Sequence, residues 1–305
     1  MHTIALSRAT AGDIERQVQK VLRGLGNPEP PLRLDDVRAL QRLDRGYYSS
    51  SEDGVLREMI SRMTVAGQQI LARPTLLLDV VRKFDLRALY LPDRKRILLD
   101  EAQPTPKQRW NEAHEIGHSI LDWHADLMLG DHEQSLTPAC HAQIEAEANY
   151  AAGQLLFLQD RFVSEANDTA PALDAVRALK AGFGNTYTTT FWRYIESSHG
   201  ELPMLGMIGG HPRRGSALTT QMPFRYIIES PAFRRMFPPS SPAALQAIVK
   251  AYCGGQRAGP LGSGEALLTD RNGITHVFCF ESFFNSYDCL TLGIYQRPYA
   301  NAVGF

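Results

Sequence analysis

The stretch Arg109-Trp110-Asn111-Glu112-Ala113-His114-Glu115-Ile116-Gly117-His118-Ser119-Ile120-Leu121 decides how the rest of the chain is read. It carries H-E-x-x-H inside a run with helical spacing. Trp110, Ala113, Gly117, Ile120 and Leu121 recur so that one side of the helix is buried and the His pair is turned inward. At about 100° per residue, His114 and His118 stand one above the other and can offer both imidazoles to one metal ion. Glu115 lies about a quarter-turn round, where its carboxylate reaches a water activated by that metal without being a ligand itself. The pattern predicts a hydrolytic metal site. The motif alone fixes few positions in a chain with nine histidines, so the apolar face around it is what separates it from a chance match.

At 305 residues the chain exceeds what one compact core usually holds, so about two or three units are expected. Hydrophobic residues make up 44% and charged residues 21%, which is ordinary globular material. A net charge of −1 argues against a large phosphate-binding surface and leaves room only for a local basic patch. No apolar run reaches the about 18 residues that cross a bilayer, and none follows Met1–Arg8, so a soluble cytoplasmic protein is expected. Cys140, Cys253, Cys279 and Cys289 form no C-x-x-C pair and read as free thiols, with a Cys279–Cys289 bridge across a hairpin as the alternative.

Upstream of the motif, Ile14, Val18, Val21, Leu22 and Leu25 mark an amphipathic helix over 13–25, ending before Gly26-Asn27-Pro28. More helix is expected over 35–43, over 55–71, and from Pro74 through Leu76, Val80, Val81 and Phe84, with a polar loop at 48–54. Residues 86–91 and 96–100 flank Pro92-Asp93-Arg94-Lys95 and read as a β-hairpin. An extended edge just before such a helix can pair with a substrate backbone. Thr105 is expected as N-cap of the motif helix and Pro106 as its first residue, with the end near Trp123-His124. The polar segment 126–138 would wall the cleft, with His132 and His141 at the surface.

A catalytic zinc usually takes three protein ligands and leaves one position for water. Two candidates compete for the third place. His124 lies ten residues after His114, the spacing of H-E-x-x-H-x-x-G-x-x-H, but Leu121 stands where the turning glycine should be. Leucine there favours continuing the helix and carrying His124 away from the metal. The Ala-rich run Gln143–Leu156 is strongly helical and can bring a carboxylate to the His pair through small residues. Glu145 and Asn149 share a face, while Glu147 points about 160° away. Glu145 is the preferred ligand, with Asn149 fixing the tautomer of a metal-bound His.

The pairing of Ala113-His114-Glu115-Ile116-Gly117-His118 with Ile144-Glu145-Ala146-Glu147-Ala148-Asn149-Tyr150-Ala151-Ala152, preceded by a short hairpin, resembles the ImmA/IrrE family of metallopeptidases over about residues 70–160. The resemblance implies a gluzincin-like site in which His114, His118 and Glu145 bind zinc or manganese and Glu115 is catalytic. It also implies an intracellular, site-specific endopeptidase that cuts a helix-turn-helix repressor and so relieves transcriptional repression, often after stress. The chain departs from the pattern where Leu155-Leu156 is followed by Phe157-Leu158 and not by Met-Pro, beside the substrate wall. Tyr150 and His141 are candidates for stabilising the oxyanion.

Residues 172–196 read as two short helices around Gly182-Phe183-Gly184-Asn185, a helix-turn-helix-like pattern. With only Arg177, Lys180 and Arg193 as cations, packing or substrate docking is favoured over DNA binding. Beyond a boundary at 200–203, Ala266–Thr269 and Ile274–Phe280 make a hairpin through Asn272-Gly273, and Leu290–Tyr295 supplies another strand. The expected fold is therefore α+β. A zincin-like helical catalytic domain with a small β-sheet and N-terminal helices spans 1–160, a helix-turn-helix-like region 161–200, and an α+β module 201–305, which resembles a GAF-type sensor by analogy of fold alone. His211, Arg213, Arg214 and His276 of that module have no assigned role. Two rival functions remain open: a non-catalytic regulator that binds a repressor or DNA, and a peptidase of broad specificity.

Overall fold

The structure is a computed structural model that describes residues 6–48, 88–91, 95–124, 138–214 and 223–299. The helices expected over 55–71 and after Pro74, the loop at 49–54, most of the hairpin turn, the 126–137 wall with His132, and the side chain of His141 lie outside the described residues. The chain divides into two compact units: Met1–Gln159 with Phe183–Asn185, and Asp160–Gly182 with Thr186–Phe305.

In the first unit, α1 (Arg8–Gly24) begins at Ser7, whose hydroxyl accepts the Thr10 N–H at 3.1 Å, and buries Ile14, Val18, Val21 and Leu22. Helix α2 (Leu34–Gln41) ends at Arg42 in the left-handed region, and the chain turns directly into a strand, β1 (Asp44–Tyr48). Hairpin strands β2 (Ala88–Leu91) and β3 (Arg96–Asp100) pair antiparallel as expected, and β1 joins β3 in parallel, giving the order β1-β3-β2. The centre of this sheet is Ile97, Leu98 and Leu99, all buried. Asp100 closes the strand by accepting the Ala102 N–H at 3.0 Å.

The motif helix α3 (Thr105–Ile120) is capped by Pro104, one residue earlier than expected, so Thr105 and Pro106 both sit in its first turn. Pro106 lacks an N–H that the first turn would leave unused in any case. The helix also stops sooner than expected. Leu121 is extended (φ −101, ψ 93), and a short second turn follows over 122–124. Helix α4 (Pro138–Leu156) packs along α3 at unusually close range. A Cβ added at Gly117 would lie 2.8 Å from the Ala148 carbonyl oxygen and 3.3 Å from the Ala151 Cβ. The Ala-rich composition of α4 is what permits this approach, since Ala148, Ala151 and Ala152 are fully buried.

The second unit starts with α5 (Asp160–Asn167), α6 (Leu173–Phe183) and α7 (Tyr187–Ser197), the last capped by Thr186. The two helices expected over 172–196 are α6 and α7. There follow β4 (Met204–Gly209), β5 (Phe224–Glu229), α8 (Pro231–Met236), α9 (Pro242–Tyr252), β6 (Gly259–Thr269), β7 (Thr275–Phe284) and β8 (Cys289–Pro298). The five strands form one antiparallel sheet ordered β5-β4-β8-β7-β6. Leu205 and Met207 of β4 join Phe233, Leu245, Val249 and Phe280 in a core under α8 and α9. Gly206, between them, faces Ile195 and Phe191 of α7. The hairpin between β6 and β7 closes through the five residues 270–274: Gly273 takes φ +80, and Asp270 accepts the N–H groups of Asn272 and Ile274, both at 2.9 Å. Among the described residues no helix is long and apolar enough to cross a membrane, and all four cysteines are free.

The Gly117 contact gives a direct test. Overpacking costs about 1–3 kcal/mol and exceeds the gain of about 1 kcal/mol in helix propensity. Gly117→Ala should therefore lose up to about 2 kcal/mol in urea denaturation. A more stable variant would show that α3 and α4 do not approach this closely.

Candidate metal centre

Helix α3 presents His114 and His118 one turn apart, with their Nε2 atoms 3.2 Å from each other and their rings edge to face. From α4, Glu145 places one carboxylate oxygen 3.2 Å from His114 Nε2 and the other 3.6 Å from His118 Nε2. Tetrahedral zinc with ligand bonds of about 2.0–2.1 Å spaces its ligand atoms about 3.3–3.4 Å apart. The donor set therefore fits a zinc-sized ion, and among the described residues it is the one cluster of His, Cys, Asp and Glu with such spacing.

The outer nitrogens of both imidazoles are engaged. Asn149 donates its amide N–H to the Glu145 carbonyl at 2.8 Å, which turns its oxygen towards His114 Nδ1, 3.2 Å away. That oxygen can only accept, so His114 carries its proton on Nδ1 and its Nε2 lone pair points at the cluster. Burial drives His118 down to about 4, against the pull of Glu145, and keeps it neutral as a ligand must be. Burial also acts on His114, but the facing Glu145 and nearby Glu115 outweigh it and raise its pKa. For Glu145 itself, burial is overcome by the two imidazoles, which hold its carboxyl well below the usual range.

Glu115 is buried and is not part of the triangle. Burial pushes its pKa up to about 7, with the Glu145 charge adding to the shift and His114 and a hydrogen bond from the Tyr90 backbone of β2 opposing it. A carboxyl group poised near neutrality beside a metal-sized donor set can both take and return a proton.

Residues 73–190 match the family model described as the IrrE N-terminal-like domain, peptidase M78. This span is similar to an IrrE N-terminal-like domain. The fold is similar to that of a Mycobacterium tuberculosis transcriptional regulator, at 10% identity and a TM-score of 0.50, over 95% of this chain and 77% of that one. At that identity the likeness concerns the fold alone. No curated protein matches the sequence.

The first unit contains site neighbours that the sequence alone places elsewhere. The helix was expected to run through Leu121 and carry His124 off; because it breaks there, His124 returns, fully buried, with Nδ1 2.9 Å from His118 Nδ1. It touches the outer nitrogen of His118 and does not occupy a ligand position. Glu147, which points away from Glu145, accepts from Trp123 Nε1 at 2.7 Å and from Gln143 Nε2 at 2.8 Å, and lies 3.0 Å from His124 Nε2. Glu112, buried on α3, is met by Arg38 of α2 at 2.6 Å and by Arg45 of β1 at 3.4 Å. The Tyr150 hydroxyl is directed to Glu15 of α1 at 2.6 Å, which removes it as an oxyanion stabiliser. The sequence signal for His124 was its ten-residue spacing from His114, while Glu147 carried nothing to set it apart from a solvated helix glutamate.

The shift on Glu115 makes a signed prediction for the metal-free domain. The folded state holds a proton that the unfolded state releases between the ordinary carboxyl range and about pH 7, so stability is lost as pH rises through that window. Metal-free Glu115→Gln lacks this dependence. It should exceed the metal-free wild type by up to about 3 kcal/mol at pH 8 and match it at pH 4, read by urea unfolding.

Proposed function

We propose that this chain is a metal-dependent, site-specific endopeptidase of the cytoplasm, that His114, His118 and Glu145 hold its ion, and that Glu115 is the general base. The observation that carries the reading is the convergence of three groups: the two Nε2 atoms lie 3.2 Å apart, and the two Glu145 oxygens lie 3.2 and 3.6 Å from them, with Glu115 buried on the same helix. Zinc bound there would act as a Lewis acid on the scissile carbonyl and acidify a water; manganese is the alternative ion.

The chain's own residues supply the rest. Glu115 accepts a proton from the attacking water and returns it to the leaving amine nitrogen, both within reach of a carboxyl that titrates near neutrality. Asn149 keeps the His114 ring in one orientation. Among the described residues β2 is the outer strand of its sheet, and the Tyr90 backbone reaches Glu115, so β2 runs beside the reaction centre. An extended peptide added along that strand would have its backbone held across the site.

A helix-turn-helix repressor as substrate follows from the resemblance of the paired motifs, and the 201–305 module is then the part assigned to signal input. A buried carboxyl that, among the described residues, is met by one backbone hydrogen bond and no side-chain hydrogen bond favours an enzyme over a regulator that merely binds.

Glu115→Gln should retain a full equivalent of zinc and lose about 10²–10⁴-fold in cleavage, while Glu145→Ala should lose the metal. The substrate is read by comparing new protein N-termini in native cells carrying wild type or Glu115→Gln. One dominant cut inside a helix-turn-helix regulator, absent from the variant, is expected. Cuts spread over unrelated proteins would establish a broad peptidase, and repressor binding unchanged in Glu115→Gln without any product would establish the regulator.

A further inference from the structure

We propose that His124 and Glu147 form a positioning relay that fixes the His118 imidazole for metal binding, an inference that rests on the metal reading above. Three contacts define it: Glu147 Oε2 to His124 Nε2 at 3.0 Å, His124 Nδ1 to His118 Nδ1 at 2.9 Å, and His118 Nε2 in the donor triangle. His124 is fully buried and Glu147 nearly so, so water does not substitute for any of these partners.

The direction of each hydrogen bond follows from the donors. The indole Nε1 of Trp123 can only donate, and it ends on the same Glu147 oxygen that meets His124. Gln143 donates to the other oxygen at 2.8 Å. The carboxylate is therefore an acceptor on both sides, and His124 must donate from Nε2. In the neutral ring this leaves Nδ1 as an acceptor, so the proton between the two imidazoles belongs to His118 Nδ1. His118 Nε2 is then a free lone pair facing Glu145 and His114. A reversed His124 would donate into His118 Nδ1, place the His118 proton on Nε2, and block the ligand atom.

Each ligand histidine thus has its own anchor of a different kind. Asn149, on the ligand-bearing helix α4, serves His114, while the chain break at Leu121 brings His124 back to serve His118. Removal of such outer partners typically costs 10–100-fold in metal affinity. His124→Ala, harmless if His124 were carried off on a longer helix, is instead expected to weaken binding by that factor.

The test uses zinc competition against a chromophoric chelator, together with long-range proton–nitrogen spectra of the zinc-loaded protein labelled at histidine. His124→Leu should bind zinc about 10–100-fold more weakly than wild type. His124→Asn should recover most of that loss, because its amide oxygen can accept near the position of Nδ1, even though leucine fills the buried site better. The spectra should show His124 protonated on Nε2 only and His118 on Nδ1. A His124 carrying its proton on Nδ1, or a leucine variant that binds as tightly as wild type, would overturn the relay and leave the metal site standing. Wild type that binds no zinc, or binds it unchanged in His114→Ala, would overturn both.

Discussion

The metal-sized cluster depends on how closely two helices can lie. Both histidines belong to α3 and the carboxylate to α4, and the separation between them is set where Gly117 meets the backbone of Ala148. Glu145 precedes that contact and Asn149 follows it, so one close approach brings the Glu145 carboxylate and the Asn149 amide to the two imidazoles together. Larger side chains at 117, 148 or 151 would widen the gap, and a glutamate of fixed reach could no longer place its two oxygens 3.2 and 3.6 Å from the two rings. The glycine inside H-E-I-G-H is thus a packing requirement of the second helix, in addition to any preference of the motif helix itself.

Four glutamates lie in these two helices, and their partners differ in a way that separates roles. Glu112 is neutralised by Arg38 and Arg45 and ties α2 and β1 to α3. Glu147 is satisfied by two neutral donors and His124. Glu145 is compensated by two imidazoles, which overcome its burial. For Glu115 burial prevails over His114 and the Tyr90 backbone and moves its pKa to about 7. An uncompensated buried carboxyl is costly to the fold, and a group kept at that cost suits proton transfer better than support.

What was legible in the sequence was what has a local period. The H-E-x-x-H pair at i and i+4, the faces of α1, α6 and α7, and the alternating strands around Asn272-Gly273 each announce themselves within about ten residues. Strand β4 does not, because Met204-Leu205-Gly206-Met207-Ile208-Gly209 is buried on both faces and so has no alternation to read. Strand β1, Asp44-Arg45-Gly46-Tyr47-Tyr48, is short and polar, and only its parallel pairing with β3 makes it a strand. Leu121 failed for a different reason. Its helix propensity is high, yet its backbone is extended and its side chain fully buried, an outcome that local propensity does not foresee.

The departure from the family pattern after α4 has a physical reading of the same kind. Where Met-Pro is usual, this chain has Phe157-Leu158, and the helix ends with Leu158 and Gln159 both in the left-handed region, at φ 52 and 51. Neither is glycine, and each such residue costs about 1–2 kcal/mol in backbone strain. The turn is held because Phe157 is buried against Phe183, with ring centroids 6.2 Å apart, and because the Gln159 amide donates to the Glu15 carbonyl of α1 at 2.7 Å. Leu158 is buried as well. A proline would have stopped the helix through its own ring; here tertiary contacts stop it. The side chains of Phe157 and Leu158 are consumed by the interior of the first unit, so they anchor the end of α4.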